Sequence, residues 1–129
     1  MKAMHPVRAS LAAALAVVLA SAAAGALAQS GLKKADGVLV DAAGMTVYTF
    51  DKDTVGSGKS ACNEGCAKMW PPVPADSGEV AAPYSLVARH DGTKQLAYKG
   101  KPLYLFAKDT KPGERKGDKM KDVWHVVTD

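Results

Sequence analysis

A short phrase is written twice in this chain, and a repeat of that kind restricts the fold more than any other feature of a sequence. Residues 43–53 read Ala-Gly-Met-Thr-Val-Tyr-Thr-Phe-Asp-Lys-Asp, and residues 99–109 read Lys-Gly-Lys-Pro-Leu-Tyr-Leu-Phe-Ala-Lys-Asp. At an offset of 56 residues, Gly44 matches Gly100, Tyr48 matches Tyr104, Phe50 matches Phe106, Lys52 matches Lys108 and Asp53 matches Asp109. A tryptophan follows each copy, with a valine three residues on: Trp70 with Val73, Trp124 with Val127. Each half has about 40 residues, too few to bury a core alone. The repeat therefore predicts one domain of two related halves.

The N-terminus reads as an address. Lys2 and Arg8 precede an Ala/Leu/Val-rich run, and Ala26-Leu27-Ala28 forms a cleavage motif ahead of Gln29. This is the pattern of a Sec signal peptide over residues 1–28. The run is too short and alanine-rich for a membrane span, which needs about 20 strongly apolar residues. No cysteine stands at the cleavage point, so no lipid anchor is expected there. The exported part, residues 29–129, is predicted to be periplasmic or secreted. Removing Lys2 and Arg8 leaves 15 basic against 13 acidic residues, so the net charge falls from +4 to +2. That surplus predicts no nucleic-acid partner, which calls for a clustered basic face. The lysines of residues 108–121 are interleaved with Asp109, Glu114 and Asp118 and read as a solvated loop.

Strand signals dominate. Residues 29–36 read as a loose polar lead-in. Val38–Val40 and residues 45–50 flank an Asp41-Ala-Ala-Gly44 turn and predict a hairpin. In the second strand Tyr48 and Phe50 share one face, Met45 and Val47 the other. Both faces are apolar, which predicts cover on both sides. Residues 61–70 predict a short helix ended by Pro71 and Pro72. Residues 84–89, 94–98 and 102–106 predict a three-stranded meander, turning at Asp91-Gly92 and Lys99-Gly100. Residues 123–127 predict a last strand. The fold class is mainly β: a small single domain of two pseudo-equivalent β-repeats, about 37–76 and 84–128, with one short helix near the cysteines.

These residues resemble a family of small secreted bacterial repeat proteins, often called predicted lipoproteins, whose hallmark is Tyr-x-aromatic-x-x-Asp. Tyr48-Thr49-Phe50-Asp51-Lys52-Asp53 and Tyr104-Leu105-Phe106-Ala107-Lys108-Asp109 fit it. Cys62, Cys66 and Trp70-Pro71-Pro72 look like the family's cysteine-bearing turn. Arg89-His90-Asp91-Gly92, Gln95 and Tyr98–Tyr104 look like its second half. The resemblance spans residues 37–127. It implies a fold and an exported location, and no chemistry. Lipoprotein members carry an acylated cysteine that this chain lacks.

The motif residues Tyr48, Phe50, Asp53, Tyr104, Phe106, Asp109, Trp70 and Trp124 have two readings. Structurally, the aromatic rings fill a shared core, and the aspartates stop strands by accepting nearby backbone N–H bonds. Functionally, the Asp53 and Asp109 loops meet the Trp70 and Trp124 turns to form a binding surface.

Cys62 and Cys66 are the only cysteines, and an exported chain favours their oxidation. Four apart on a helical turn, their Cα atoms would lie about 6 Å apart, within disulfide range. The alternative is an envelope copper or thiol-redox protein using Cys62, Cys66 and Met69, with His125 completing the set. His125, in the last strand beside Trp124, otherwise reads as a hydrogen-bonded packing residue. His90, at a turn, reads as exposed.

There is no nucleophile elbow, P-loop or dinucleotide fingerprint. The expectation is a non-enzymatic binding or interaction module without a cofactor. It would recognise a small molecule or an envelope protein, and would be stapled by Cys62–Cys66.

Overall fold

The computed structural model describes residues 31–75 and 80–128. The leader and its cleavage motif lie outside the described residues. Among the described residues the helices are two short pieces, and strands carry the architecture.

The first described element is a hairpin of β1 (Lys33–Ala35) and β2 (Val38–Val40). This corrects the expected loose lead-in. Lys-Lys-Ala has little strand propensity of its own. Strand β1 forms because Asp36 and Gly37, at φ 51° and 83°, make the tight two-residue turn that matches strand twist.

The next expected hairpin is begun and then abandoned. Asp41 shapes the turn, its Oδ1 accepting from the Ala43 and Met45 amides at 2.9 Å each. A single bridge joins Val40 to Thr46. Then β3 (Tyr48–Phe50) leaves its neighbour and pairs antiparallel with β7 (Trp124–Val126), Tyr48 opposite Val126 and Phe50 opposite Trp124.

The second half shows the same departure. Strands β4 (Tyr84–Ala88), β5 (Lys94–Tyr98) and β6 (Lys101–Pro102) form the expected meander. Strand β6 is cut short, because Tyr104 turns to bridge Tyr48 and Pro72 instead. Leu105 and Ala107 donate to the carbonyls of Pro71 and Met69 at 2.7 and 2.8 Å, as Asp51 donates to Val123 at 2.8 Å. Each repeat thus lends its post-tryptophan segment to the other repeat's motif strand. The valines follow suit: Leu39 N–H bonds to Val127 C=O at 2.8 Å, and Leu96 N–H to Val73 C=O at 2.9 Å.

The expected helix shrinks to α1 (Gly65–Met69). Glu64, at φ 53°, breaks the run before it, and the Trp70-Pro71-Pro72 turn follows. Gly65, which would weaken a helix interior, stands at its first residue.

Two clusters form the core, and both draw evenly on the two repeats. One joins Leu39, Val47 and Val127 to their counterparts Leu96, Leu103 and Val73. The other holds Tyr48, Trp124, Tyr104, Trp70, Phe106 and Cys62. Val47 serves the first cluster and Tyr48 the second, so the motif strand is covered on both faces as its pattern predicts. Burial of each such aliphatic side chain contributes about 1.5–3 kcal/mol. Half of either cluster would leave its apolar surface open to water, so the two repeats make one domain.

Candidate functional site

Tyr48 and Tyr104 meet at the centre of the molecule. Each main-chain N–H donates to the other's carbonyl, at 2.8 and 2.9 Å, which defines a local twofold. Their phenols then cross over. Tyr48 Oη donates to Asp109 Oδ2 at 2.6 Å, and Tyr104 Oη to Asp53 Oδ2 at 2.6 Å. The other carboxylate oxygen of each aspartate accepts a loop amide: Ala61 N–H at 2.6 Å for Asp53, Lys116 N–H at 3.0 Å for Asp109. Gly117 N–H donates to Tyr48 Oη at 3.2 Å, and Ser60 Oγ lies 2.6 Å from Tyr104 Oη. Burial, then the bond to Asp109, push the Tyr48 phenol far above its usual pKa, and burial with Asp53 does the same to Tyr104. Burial also raises the Asp53 carboxyl, against the bonds from Tyr104 and Ala61.

Four rings stack beside this crossing in the order Phe50, Trp124, Trp70, Phe106. Their centroid separations are 4.1, 3.7 and 4.2 Å, and the two indole planes are 3° apart. Tyr48 meets Trp70 edge-on at 5.4 Å, and Tyr104 meets Trp124 edge-on at 5.2 Å. The stack carries the same twofold relation as the tyrosines. Gly117 admits it: a Cβ there would lie 2.6 Å from the Trp70 ring.

The stack floors an open cleft of about 570 Å³. Lys52 and Lys108, each two residues beyond a stacked phenylalanine, reach it from the two repeats. Lys121 joins them from the turn before β7, with Met69, Met120, Cys66 and Val123 completing the wall. That turn is strained. Lys119, Lys121 and Asp122 have φ of 66°, 53° and 60°, a left-handed conformation costing roughly 1–2 kcal/mol at a residue with a Cβ. Such strain persists only where surrounding contacts impose it. Here Lys119 N–H is held by Trp124 C=O at 2.6 Å.

The disulfide joins Cys62 and Cys66, with Cα atoms 5.2 Å apart. Its loop is tied to the second repeat by Arg89, which is buried with no carboxylate bonded to it among the described residues. Arg89 donates to Cys62 C=O at 2.7 Å, Asn63 Oδ1 at 3.3 Å and Gln95 Oε1 at 2.7 Å. Gln95 passes the connection on to Leu103 C=O at 2.6 Å. Arg89 and Gln95 are thus fixed in the scaffold.

The structure gathers the eight motif residues into one assembly, but in unequal roles. The six rings build the crossing and the floor. Asp53 and Asp109 point their oxygens inward to the tyrosines, and it is the lysines beside them, Lys52 and Lys108, that line the cleft. Sequence reasoning did not single out Lys52, Lys108, Lys121 and Met120. The pairing of Lys52 with Lys108 in the repeat was the available signal, while nothing in the sequence marks Lys121. Of the alternative copper set, Cys62 and Cys66 are joined in the disulfide, Met69 and Cys66 face the cleft, and His125 Nε2 bonds Asp51 Oδ2 at 2.7 Å. His125 is half-exposed rather than packed. His90 is exposed. Among the described residues no group of three or more His, Cys, Asp or Glu side chains could hold a metal ion, and no helix is long and apolar enough to cross a membrane.

No curated protein and no solved structure matches the chain. A family profile does, twice, over residues 32–74 and 85–128, which are the two halves that exchange their tail segments. The chain therefore belongs to the Lipoprotein_15 family, described as a secreted repeat of unknown function.

Proposed function

We propose that this protein is a non-enzymatic binding module of the cell envelope, periplasmic or released, that takes a small molecule in the cleft above the aromatic stack. The observation that carries this reading is the position of the cleft. It lies over the Trp70–Trp124 pair and draws one wall from each repeat. Its volume of about 570 Å³ falls in the range of small-molecule sites, as does its mix of aromatic lining with a few polar groups. The strained Lys119–Asp122 turn supports the same reading, since left-handed non-glycine residues cluster at ligand clamps. The module holds no cofactor of its own, and the Cys62–Cys66 disulfide is a staple.

The test is a titration of the folded chain with a set of small aromatic fragments, followed through the indole N–H resonances of Trp70 and Trp124. Saturable shifts at both indoles are expected for the fragments that bind. Fragments that bind only at surfaces remote from the indoles would overturn the assignment.

A further inference from the structure

The geometry points to a planar aromatic acid, a carboxylate or sulfonate on a flat ring system, as the class of ligand that fills this cleft. The inference rests on the cleft being the binding face and adds the chemistry of its occupant.

Charge comes first. Three ammonium groups line the cleft, from Lys52, Lys108 and Lys121, and no carboxylate lines it. Among the described residues none of the three pairs with an acid; the ion pairs are Lys116–Glu114 and His125–Asp51. An anion entering the cleft meets uncompensated positive charge over a low-dielectric floor, where such attraction is strengthened.

The floor adds to it. Trp124 lies between Phe50 and Trp70, and Trp70 between Trp124 and Phe106. Both faces of both indoles are therefore covered, so the indoles can show the cleft only their edges. Ring edges carry the positive end of the aromatic quadrupole. They favour the π-face of an incoming ring, or an oxyanion, and disfavour a cation. Met69 and Met120 supply polarisable thioethers that adapt to aromatic edges. An inorganic anion would use the lysines and waste this apolar wall. A neutral aromatic would use the wall and leave the lysines idle.

The experiment compares three probes by indole N–H shifts: anilinonaphthalene sulfonate, its uncharged relative phenylnaphthylamine, and inorganic sulfate. The sulfonate is expected to move both indoles and to bind at least about tenfold more tightly than the other two. Lys52→Gln, Lys108→Gln and Lys121→Gln should each weaken it by about two- to fivefold, while Lys59→Gln, outside the cleft, should not. Added salt should weaken the sulfonate and sulfate and leave the uncharged probe unaffected. Equal affinity for the uncharged probe, with glutamine variants unchanged, would overturn the ligand class and leave the cleft standing. Sulfate competing on equal terms would overturn it as a mere anion site. If no probe of any charge moves either indole, the reading of the cleft as a binding face fails as well.

Discussion

Tyr48 and Tyr104 hold one another through two main-chain hydrogen bonds, and each sends its phenol to the aspartate that follows the other. The repeated Tyr-x-aromatic-x-x-Asp phrase is thus a reciprocal clasp. The tyrosine starts the clasp in one repeat and the aspartate, five residues on, completes it from the other. The aromatic residue between them, Phe50 or Phe106, caps one end of the ring stack. One motif therefore builds the twofold, the core and the floor of the cleft together, and two copies in one chain are what the geometry needs.

Removing one hydroxyl should expose how the clasp is weighted. Tyr48→Phe leaves buried Asp109 without its phenol donor, whereas Tyr104→Phe strips half-buried Asp53, which water can reach. A hydrogen bond to a charged group is worth about 1.5–3 kcal/mol. Urea unfolding should show a loss in that range for Tyr48→Phe and a smaller one for Tyr104→Phe. Equal losses below about 0.5 kcal/mol would mean the clasp is incidental.

The same pair should control alkaline stability. Both phenols have pKa values raised far above the usual tyrosine value by burial and by their aspartates. A phenol raised in the folded state contributes stability that is fully present below the unfolded value of about 10 and is lost as pH rises through the folded value. At about pH 11 the phenolate absorbance of the folded chain should stop short of its four tyrosines, and the rest should appear only on unfolding. Full ionisation with the native circular dichroism retained would contradict this.

Much of this was legible in the sequence, and what was not has physical causes. Strands β4, β5 and β7, the disulfide and the two-sided cover of the motif strand, Val47 on one face and Tyr48 on the other, follow from local pattern. The exchange of tail segments does not, because two repeats of the same pattern offer each motif strand two similar partners and period-2 patterning cannot choose between them. The aspartates were expected to bond backbone amides, and they do, at Ala61 and Lys116. Their tyrosine partners lie 51 and 61 residues away, beyond any local rule. Strand β1 was hidden because Lys33-Lys34-Ala35 forms a strand only when a turn and a partner impose it. Lys121 was hidden because a left-handed lysine has no sequence signature.

Gly117 should tolerate no side chain. An added Cβ would sit 2.6 and 2.9 Å from Trp70 ring atoms and 3.1 Å from Phe106. Trp70 cannot step aside, since Trp124 and Phe106 cover its faces. Overpacking of this kind costs about 1–3 kcal/mol. Gly117→Ala should lose that much in urea unfolding and should shift the indole N–H resonances. Gly113→Ala has open space around its Cβ but a φ of 88°, and should lose stability with the indole resonances unmoved. An unperturbed Trp70 signal in Gly117→Ala would show that the stack is looser than its distances.

Separating the repeats gives the sharpest test of the exchange. Residues 31–75 hold β3 without its partner β7, and residues 80–128 hold Tyr104 without Pro72. Each fragment also keeps only half of both core clusters. Made separately, neither should fold: circular dichroism should show disordered chain and urea should give no cooperative transition. Mixed in equal amounts, they should recover the near-parallel Trp70–Trp124 pair, visible as exciton-coupled dichroism, with a midpoint that rises with concentration as mass action requires. A fragment that unfolds cooperatively alone would mean that a repeat can close on its own tail segment. The exchanged pairing would then be a choice of the fold rather than a necessity of its size.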